Sequence, residues 1–297
     1  MSLEIDEGRA RSHRALAVAF GLVVVFMVVE IVAGFWTGSL ALLSDAGHMA
    51  TDALGMGMAL AAIHAARRAA SKPQHTYGLY RLEILAALAN AVLLFAVGGY
   101  VLVEAAGRLS EPPDVLAGPM LAVAAAGLAV NVVSWRLLRS HSRSSLNVEG
   151  ALLEVVADLF GSIGVIVAAL LLRFTGWSYA DPLFGAVIGV FILPRAWRLA
   201  AKALRVLLQA APHHLDIDSV RSRLATLPGV ADVHDLHVWT LTSEMDVASV
   251  HLVTAGDIDP HPVLDAAGDM LQEEFGITHA TLQVEPQGHD DCAEATW

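Results

Sequence analysis

The sequence has few charged residues and a single cysteine. Only 16% of its 297 residues are charged and 56% are hydrophobic, whereas about 25% of a soluble globular chain is charged. This apolar content also excludes a disordered chain. Because Cys292 is the only cysteine, no intrachain disulfide can form. The net charge of −12 argues against a nucleic-acid-binding protein, which usually presents a basic face.

The two parts of the chain differ in charge. Residues 1–210 contain 16 basic and 14 acidic residues, whereas residues 211–297 contain 2 basic and 16 acidic residues and eight of the 13 histidines. This asymmetry predicts a membrane part followed by a small, acidic, histidine-rich soluble domain. We therefore expect an N-terminal tail at 1–14, a transmembrane domain at 15–208 and a C-terminal domain at 209–297.

Six segments are apolar over about the 20 residues that a membrane-crossing helix needs. They cover residues 15–36, 39–66, 82–106, 115–138, 149–172 and 179–208. The sixth is apolar up to Leu193 and then amphipathic, so its basic end, which begins at Arg195, is expected to leave the bilayer. The first has no small-residue cleavage site after it, which indicates a retained helix rather than a signal peptide.

Basic residues predict the orientation of these spans. Fourteen Lys and Arg residues flank the spans on the side of the two termini, and two, Arg108 and Arg173, lie on the other side. Positive residues concentrate on the cytosolic side of a membrane, so both termini are expected in the cytosol. The expected location is the inner membrane of a bacterium.

Ionisable residues lie at helical spacing within the second and fifth spans. His48 and Asp52, like Glu154 and Asp158, are four residues apart and share one helix face. The spans run antiparallel, so the two pairs can meet and supply the four ligands of a tetrahedral Zn²⁺-type site. Asp45 lies on nearly the same face as His48 and is a candidate for a supporting group or part of a proton path. The alternative is that these groups only form hydrogen bonds between helices.

The C-terminal part has the pattern of a small mixed domain. Helical spacing over 216–227 and 260–275, together with strand-like segments at 229–241, 244–254 and 278–285, gives the order α-β-β-α-β. This order predicts a ferredoxin-like α+β domain.

Histidines on the predicted strands suggest a second metal site. His234, His251 and Glu285 could converge across the three strands, and the alternative is that these are solvated surface residues. Strand alternation would place His234 and His237 on opposite faces, so these two are not expected to share one ion. Further candidate ligands, the last two offered to a dimer partner, are His279, His289 and Cys292.

Several motifs are similar to those of one known family. The second span contains GSLALLSDAGHM at 38–49, followed by Asp52, and other matching segments lie at 75–78, 81–87, 147–151, 161–166, 181–182 and 234–239. Together they resemble the cation diffusion facilitators, which are zinc-type exporters of divalent metals. The resemblance extends over about residues 15–287.

The resemblance implies a homodimer in the lipid bilayer that exports Zn²⁺ or a related ion in exchange for protons. It implies six helices for transport, a cytosolic ferredoxin-like domain for metal sensing and dimerisation, and no cofactor beyond the metal. In the second and fifth spans, His48, Asp52 and Asp158 match the ligands of zinc-type members. In the C-terminal domain, matches to the cytosolic metal site are His234, His251 and Glu285, whereas Gln283 replaces a histidine of some members.

Glu154 departs from the family pattern, since zinc-type members usually have histidine there. One histidine and three carboxylates form an oxygen-rich site, which relaxes the preference for Zn²⁺ and suits harder ions such as Mn²⁺. One alternative is therefore an exporter whose main substrate is Cd²⁺, Co²⁺ or Mn²⁺ instead of zinc. Another is a membrane metal sensor that does not transport. A metalloenzyme is not expected, because the chain has no His-Glu-x-x-His motif.

Overall fold

The structure is a computed structural model that describes residues 2–69, 74–139, 146–242, 245–256 and 258–288. Its first part contains the helices α1 (Ser2–Thr37), α2 (Leu40–Ala69), α3 (Arg81–Ser110), α4 (Ala117–Arg139), α5 (Leu146–Thr175) and α6 (Ala180–Leu207). In the described part of the chain, all six helices are long and apolar enough to cross a membrane. The six predicted spans are therefore confirmed as helices, and α1 already begins within the predicted N-terminal tail.

The outer faces of these helices carry large apolar side chains. Phe35, Val103, Phe174 and Phe191 are each about three-quarters exposed. Apolar exposure on this scale is unusual for a soluble monomer and fits contact with lipid. The chain is an integral membrane protein.

Small residues form the core among α1, α2, α4 and α5. Five of the eight buried side chains in the main apolar cluster are alanines: Ala33, Ala41, Ala124, Ala168 and Ala169. Short side chains let helix backbones approach closely, which is a common basis of helix packing in membranes. This close packing holds α2 against α5, the two helices that carry the predicted ligands.

A buried carboxylate fixes the beginning of α2. Asp181, in the first turn of α6, accepts hydrogen bonds from the backbone N–H groups of Leu40 (2.7 Å) and Ala41 (3.2 Å) and from the hydroxyl of Ser39 (2.6 Å). The first N–H groups of a helix have no partner within the helix, and a carboxylate there satisfies them and favours the helix dipole. This contact sets where α2 begins, and hence the height of the predicted ligands about two to three turns later.

The C-terminal domain has the predicted α-β-β-α-β order. Its elements are α7 (Ile217–Ala225), β1 (Val230–Thr242), β2 (Met245–Thr254), α8 (Pro260–Phe275) and β3 (His279–Glu285). The sheet order is β1-β2-β3, with β1 antiparallel and β3 parallel to β2. Both helices pack on one face of the sheet through a core that includes Val220, Leu252 and Leu271. His234 and His251 lie on the opposite face of the sheet.

The chain divides into two compact units. One consists of residues 1–57 and 89–199, and the other of residues 58–88 and 200–297. The predicted ligands from α2 and α5 lie in the first unit, and the histidines of the sheet lie in the second.

Candidate metal centres

The second helix places two of the predicted ligands side by side. In α2, His48 and Asp52 are one turn apart, and His48 Nε2 lies 3.7 Å from Asp52 Oδ2. Both side chains are mostly buried, with 13% and 20% of their surface exposed. Polar groups within a membrane-spanning helix are costly and commonly mark an ion or proton pathway.

The fifth helix supplies the third ligand to the same place. One ligand atom each of His48, Asp52 and Glu154 lies within 4.8 Å of the other two. A tetrahedral ion with bonds of about 2.0–2.2 Å separates its ligand atoms by about 3.3–3.6 Å. An inward movement of about 1 Å would therefore bring these three groups onto one ion. We name these three residues the intramembrane cluster.

Asp158, the fourth predicted ligand, lies one turn beyond Glu154 in α5 and is 7% exposed. It is not part of the intramembrane cluster as the structure shows it. Asp158 shares a helix face with Glu154, so a small rotation or shift of α5 is enough to bring both carboxylates to one ion.

Asp45 marks a close contact between α2 and α5. It is buried, and its Oδ1 lies 2.7 Å from the point that a Cβ atom would occupy at Gly161. Glycine leaves room for this carboxylate, so the side chain of Asp45 packs directly against the backbone of α5. The structure therefore places Asp45 beside the ligand-bearing helix α5, as a supporting group would be.

Arg195 of α6 reaches the intramembrane cluster, which the sequence analysis missed. Its Nη1 and Nη2 atoms donate to the two oxygens of Glu154, both at 2.7 Å. Nη2 also lies 3.2 Å from Asp52 Oδ1, and Nη1 lies 3.4 Å from His48 Nε2. The basic end of α6 was expected to leave the bilayer, and a contact between Arg195 and the ligands of α2 and α5 was not expected. The sequence offers one local sign that this position in α6 is unusual: the preceding residue is Pro194, and proline removes a backbone hydrogen bond from a helix.

The second predicted site forms on the open face of the sheet. His234 and His251 are directly paired across β1 and β2, with ring centroids 5.2 Å apart. Glu285 is buried and contacts both rings, at 2.9 Å from His251 Nδ1 and 3.5 Å from His234 Nε2. The side-chain amide of Gln283 donates at 2.7 Å to Glu285 Oε1, the oxygen that also faces His251, and helps to hold the carboxylate in place. Two imidazoles and a carboxylate are a common donor set for Zn²⁺, and we name these three ligands the sheet cluster.

A β-bulge changes the predicted faces of the histidines in β1. His234 pairs with His251, but His237 pairs with Ser249, so β1 has one residue more than β2 over this stretch. Val233 before the bulge and Leu236 after it both join the core. His234 and His237 therefore both point away from the core, and the prediction of opposite faces is wrong. His237 is still outside the sheet cluster, because Asp235 holds it at 2.9 Å.

His279, a further candidate ligand, does not join the sheet cluster. His279 pairs with Val247, whereas Glu285 pairs with Val253 at the far end of β3. Six residues of strand separate His279 from Glu285 by about 20 Å, so the expectation that His279 adds a ligand is not met. His279 instead contacts the ring of Tyr77 edge-on, with centroids 6.1 Å apart. His289 and Cys292 lie outside the described residues.

Two family models cover most of the chain. The model described as the cation efflux transmembrane domain matches residues 16–208, and the model described as the cytoplasmic domain of cation efflux proteins matches residues 212–287.

Curated relatives align with nearly the whole chain. The metal cation efflux system protein CzcD of Cupriavidus metallidurans is 46% identical over 92% of this chain and 87% of its own. The zinc transporter ZitB of Escherichia coli is 41% identical over 92% of this chain and 88% of its own. A cadmium, cobalt and zinc/H⁺-K⁺ antiporter of Bacillus velezensis is 36% identical over 94% of this chain and 90% of its own.

Proposed function

This chain belongs to the cation efflux family, and we propose that it exports divalent transition-metal ions, with Zn²⁺ as the main substrate, from the cytosol in exchange for protons. It is a transporter and not an enzyme. The observation that carries the proposal is the intramembrane cluster, in which His48, Asp52 and Glu154 have ligand atoms within 4.8 Å of one another inside membrane-spanning helices. A divalent cation compensates carboxylates that could hardly all stay ionised in an apolar medium without one.

We propose that the ion is bound by His48, Asp52, Glu154 and Asp158, with Asp45 as a supporting group. Ions enter from the cytosol, α2 and α5 shift to bring the fourth ligand in, and the site then opens to the other side. Antiparallel helices that each carry two ligands suit such a change, because sliding one helix against the other alters all four distances together.

Exchange for protons follows from the ligand chemistry. Carboxylates and imidazole must lose their protons to bind a metal ion, so protonation from outside expels the ion and proton release inside prepares the next cycle. One relative is named as an antiporter that uses H⁺. Exporting a 2+ ion against one entering proton moves one net charge outward, which costs about 2.3 kcal/mol per 100 mV and must be supplied by the proton gradient.

The choice of Zn²⁺ rests on the histidine ligand and on relatives whose names include zinc. The oxygen-rich set of one imidazole and three carboxylates favours a second candidate, an exporter with substantial transport of Cd²⁺, Co²⁺ or Mn²⁺. Glu154 is the observation behind this alternative.

We further propose that the sheet cluster senses cytosolic metal, that both termini are cytosolic and that the protein works as a homodimer in the inner membrane of a bacterium. His234, His251 and Glu285 fit a regulatory Zn²⁺ ion, because the buried carboxylate already faces both rings. If the sheet cluster were the whole function, the protein would be a sensor that does not transport.

Metal flux into proteoliposomes tests the proposal. Wild type, Asp158→Ala and the control Asp265→Ala, an exposed residue of α8, are compared with Zn²⁺, Cd²⁺, Co²⁺ and Mn²⁺, with and without a pH gradient. We expect saturable, gradient-dependent uptake that Asp158→Ala abolishes and Asp265→Ala retains. Equal flux in wild type and Asp158→Ala, or no flux of any ion, would reject the transport site and favour the sensor.

A further inference from the structure

A positive charge lies in the middle of the intramembrane cluster. Arg195 is bound to Glu154 through two parallel N–H···O bonds of 2.7 Å, and its guanidinium also contacts Asp52 at 3.2 Å and His48 at 3.4 Å. One side chain of α6 thus contacts every member of the cluster. A guanidinium keeps its charge under all ordinary conditions, unlike the amine of lysine.

We propose that Arg195 is a built-in competitor of the transported ion, which weakens metal binding at His48 and Asp52 and so speeds release. The proposal rests on the transport site proposed above. It makes Arg195 a positioning residue, which acts on the ion through the ligands it occupies.

Competition follows from the atoms involved. Nη2 faces Asp52 Oδ1, and Nη1 faces His48 Nε2, which are atoms that a metal ion would use. An ion placed among ligand atoms 4.8 Å apart or less would meet the guanidinium at the same position. Two cations cannot share that space, so the ion has to displace Arg195 from His48 and Asp52.

The contact of Arg195 with Glu154 is stronger than its contacts with His48 and Asp52. Both oxygens of this carboxylate are engaged in a fork-to-fork pair, which is the strongest arrangement of these two groups. We therefore expect Arg195 to keep a hydrogen bond to one oxygen of Glu154 when it leaves His48 and Asp52, while the other oxygen binds the ion. The three carboxylates of the site and one guanidinium have a formal charge of −2, so a divalent ion leaves the occupied site neutral in the membrane.

A purely structural role for Arg195 predicts the opposite effect on binding. If the ion pair only joined α6 to α5, its loss would loosen the site and weaken metal binding. If Arg195 competes with the ion, its loss strengthens binding and slows turnover, because the ion is no longer displaced. The sign of the change in affinity separates the two roles.

The experiment measures Zn²⁺ affinity by titration against a coloured chelator, with the full-length protein in detergent. All variants carry His251→Ala, so that the sheet cluster does not contribute. Arg195→Gln is compared with Arg195→Lys and with Arg198→Gln, a control at an exposed arginine of the same helix. We expect Arg195→Gln to lower the Kd for Zn²⁺ roughly tenfold, as for a typical coupling between two ligands, and Arg195→Lys to lower it by less. Arg198→Gln should match the parent.

Zinc flux by the same variants gives a second readout. Arg195→Gln should reach saturation at lower Zn²⁺ and turn over more slowly than Arg198→Gln. An unchanged or higher Kd in Arg195→Gln would overturn the proposal, and if that variant does not fold, the same result for Arg195→Lys would overturn it. His48→Ala separates a failure of the proposed transport site from a failure of the role of Arg195. If it leaves Zn²⁺ binding intact, the transport site itself fails; if it abolishes binding while Arg195→Gln does not tighten it, only the role of Arg195 fails.

Discussion

The carboxylate of Asp45 lies against the bare backbone of Gly161, with Oδ1 2.7 Å from the point where a Cβ atom would be. This contact joins α2 and α5 about one turn from His48 and one turn from Asp158. We therefore expect the geometry of the proposed transport site to depend on a glycine that carries no ligand.

Gly161→Ala is expected to impair transport strongly. The added methyl group would overlap Asp45 Oδ1 and push α2 and α5 apart, and overpacking of this kind costs about 1–3 kcal/mol of stability. Zinc flux in proteoliposomes and thermal unfolding of the purified protein measure the two effects.

Gly164→Ala is the matched control for this substitution. It lies one turn further along α5, where a Cβ atom would be 3.5 Å from the ring of Phe184, an ordinary contact distance. We expect nearly normal flux from this variant. Similar losses in both variants would show that the Asp45–Gly161 contact has no special part in positioning the ligands.

The exchange of Glu154 for histidine should succeed only when Arg195 is changed with it. Glu154→His alone removes the carboxylate that holds the guanidinium through two hydrogen bonds and leaves it only the contact to Asp52, and the loss of a charged partner in a partly buried site is strongly unfavourable. We expect roughly tenfold less Zn²⁺ flux from the single variant and recovery in Glu154→His combined with Arg195→Gln. Flux of Zn²⁺ and Mn²⁺ is measured at equal concentrations for both variants and for wild type.

The double variant should also prefer Zn²⁺ over Mn²⁺ more than wild type does, because imidazole replaces a hard oxygen ligand. Arg198→Gln combined with Glu154→His is the control, since it removes a charge from α6 without touching the site. Recovery in this control as well would mean that total charge, and not the pair of Arg195 with Glu154, limits the single variant.

Much of the architecture could be predicted from simple periodicities. Apolar runs located the six helices, and the spacing of four residues correctly placed His48 and Asp52 on one face of α2, where Glu154 of α5 meets them. Arg195 was missed for a physical reason. The basic end of α6 has the pattern of an ordinary amphipathic helix, and the reach of one long side chain depends on how α6 packs against α5, which no local pattern encodes.

The histidines of β1 show a second limit of prediction from sequence. Alternation along a strand has a period of two, so one inserted residue reverses the face of everything beyond it. The bulge at Asp235, which has a φ of 50°, makes that reversal between His234 and His237. Aspartate is among the few residues that tolerate this conformation, but it does so in many turns and is too weak a signal to predict a bulge.

Removal of the sheet cluster should abolish one Zn²⁺ site without changing the domain's fold. Glu285→Gln keeps the shape of the side chain but removes the charge that faces His234 and His251. We expect the full-length protein to bind one Zn²⁺ fewer per chain, as measured by metal analysis after gel filtration. His237→Ala is the control, because His237 is on the same face of the sheet but is held by Asp235 outside the cluster.

Metal removal gives an independent measurement of the sheet cluster. A metal that binds only the folded state at a hundred times its Kd stabilises that state by about 2.7 kcal/mol. Chelation should therefore increase hydrogen exchange in β1 and β3 of wild type, and much less in Glu285→Gln. Equal effects of the chelator on both proteins would place the bound metal elsewhere.

Asp181→Ala is expected to destabilise the membrane domain more than Glu104→Gln does. Asp181 is fully buried and accepts hydrogen bonds from Ser39, Leu40 and Ala41, so its loss leaves buried N–H groups without partners, each costing about 1–3 kcal/mol. Glu104→Gln is the comparison, since the side chain of Glu104 is 39% exposed and pairs with Arg108 one turn away in α3, and pairs with an exposed partner contribute about 0–1 kcal/mol. Thermal unfolding in detergent measures both.

The same substitution also tests how the fold positions the ligands. The carboxylate of α6 sets the first residue of α2, and His48 and Asp52 follow at fixed helical intervals, so fraying of the first turn lets both ligands shift. We expect Asp181→Ala to raise the Zn²⁺ concentration needed for half-maximal flux even at temperatures where the protein stays folded, whereas Glu104→Gln leaves it unchanged. A variant with lower stability but an unaltered zinc dependence would show that the height of α2 is set by its packing on α5, and that Asp181 only stabilises the end of the helix.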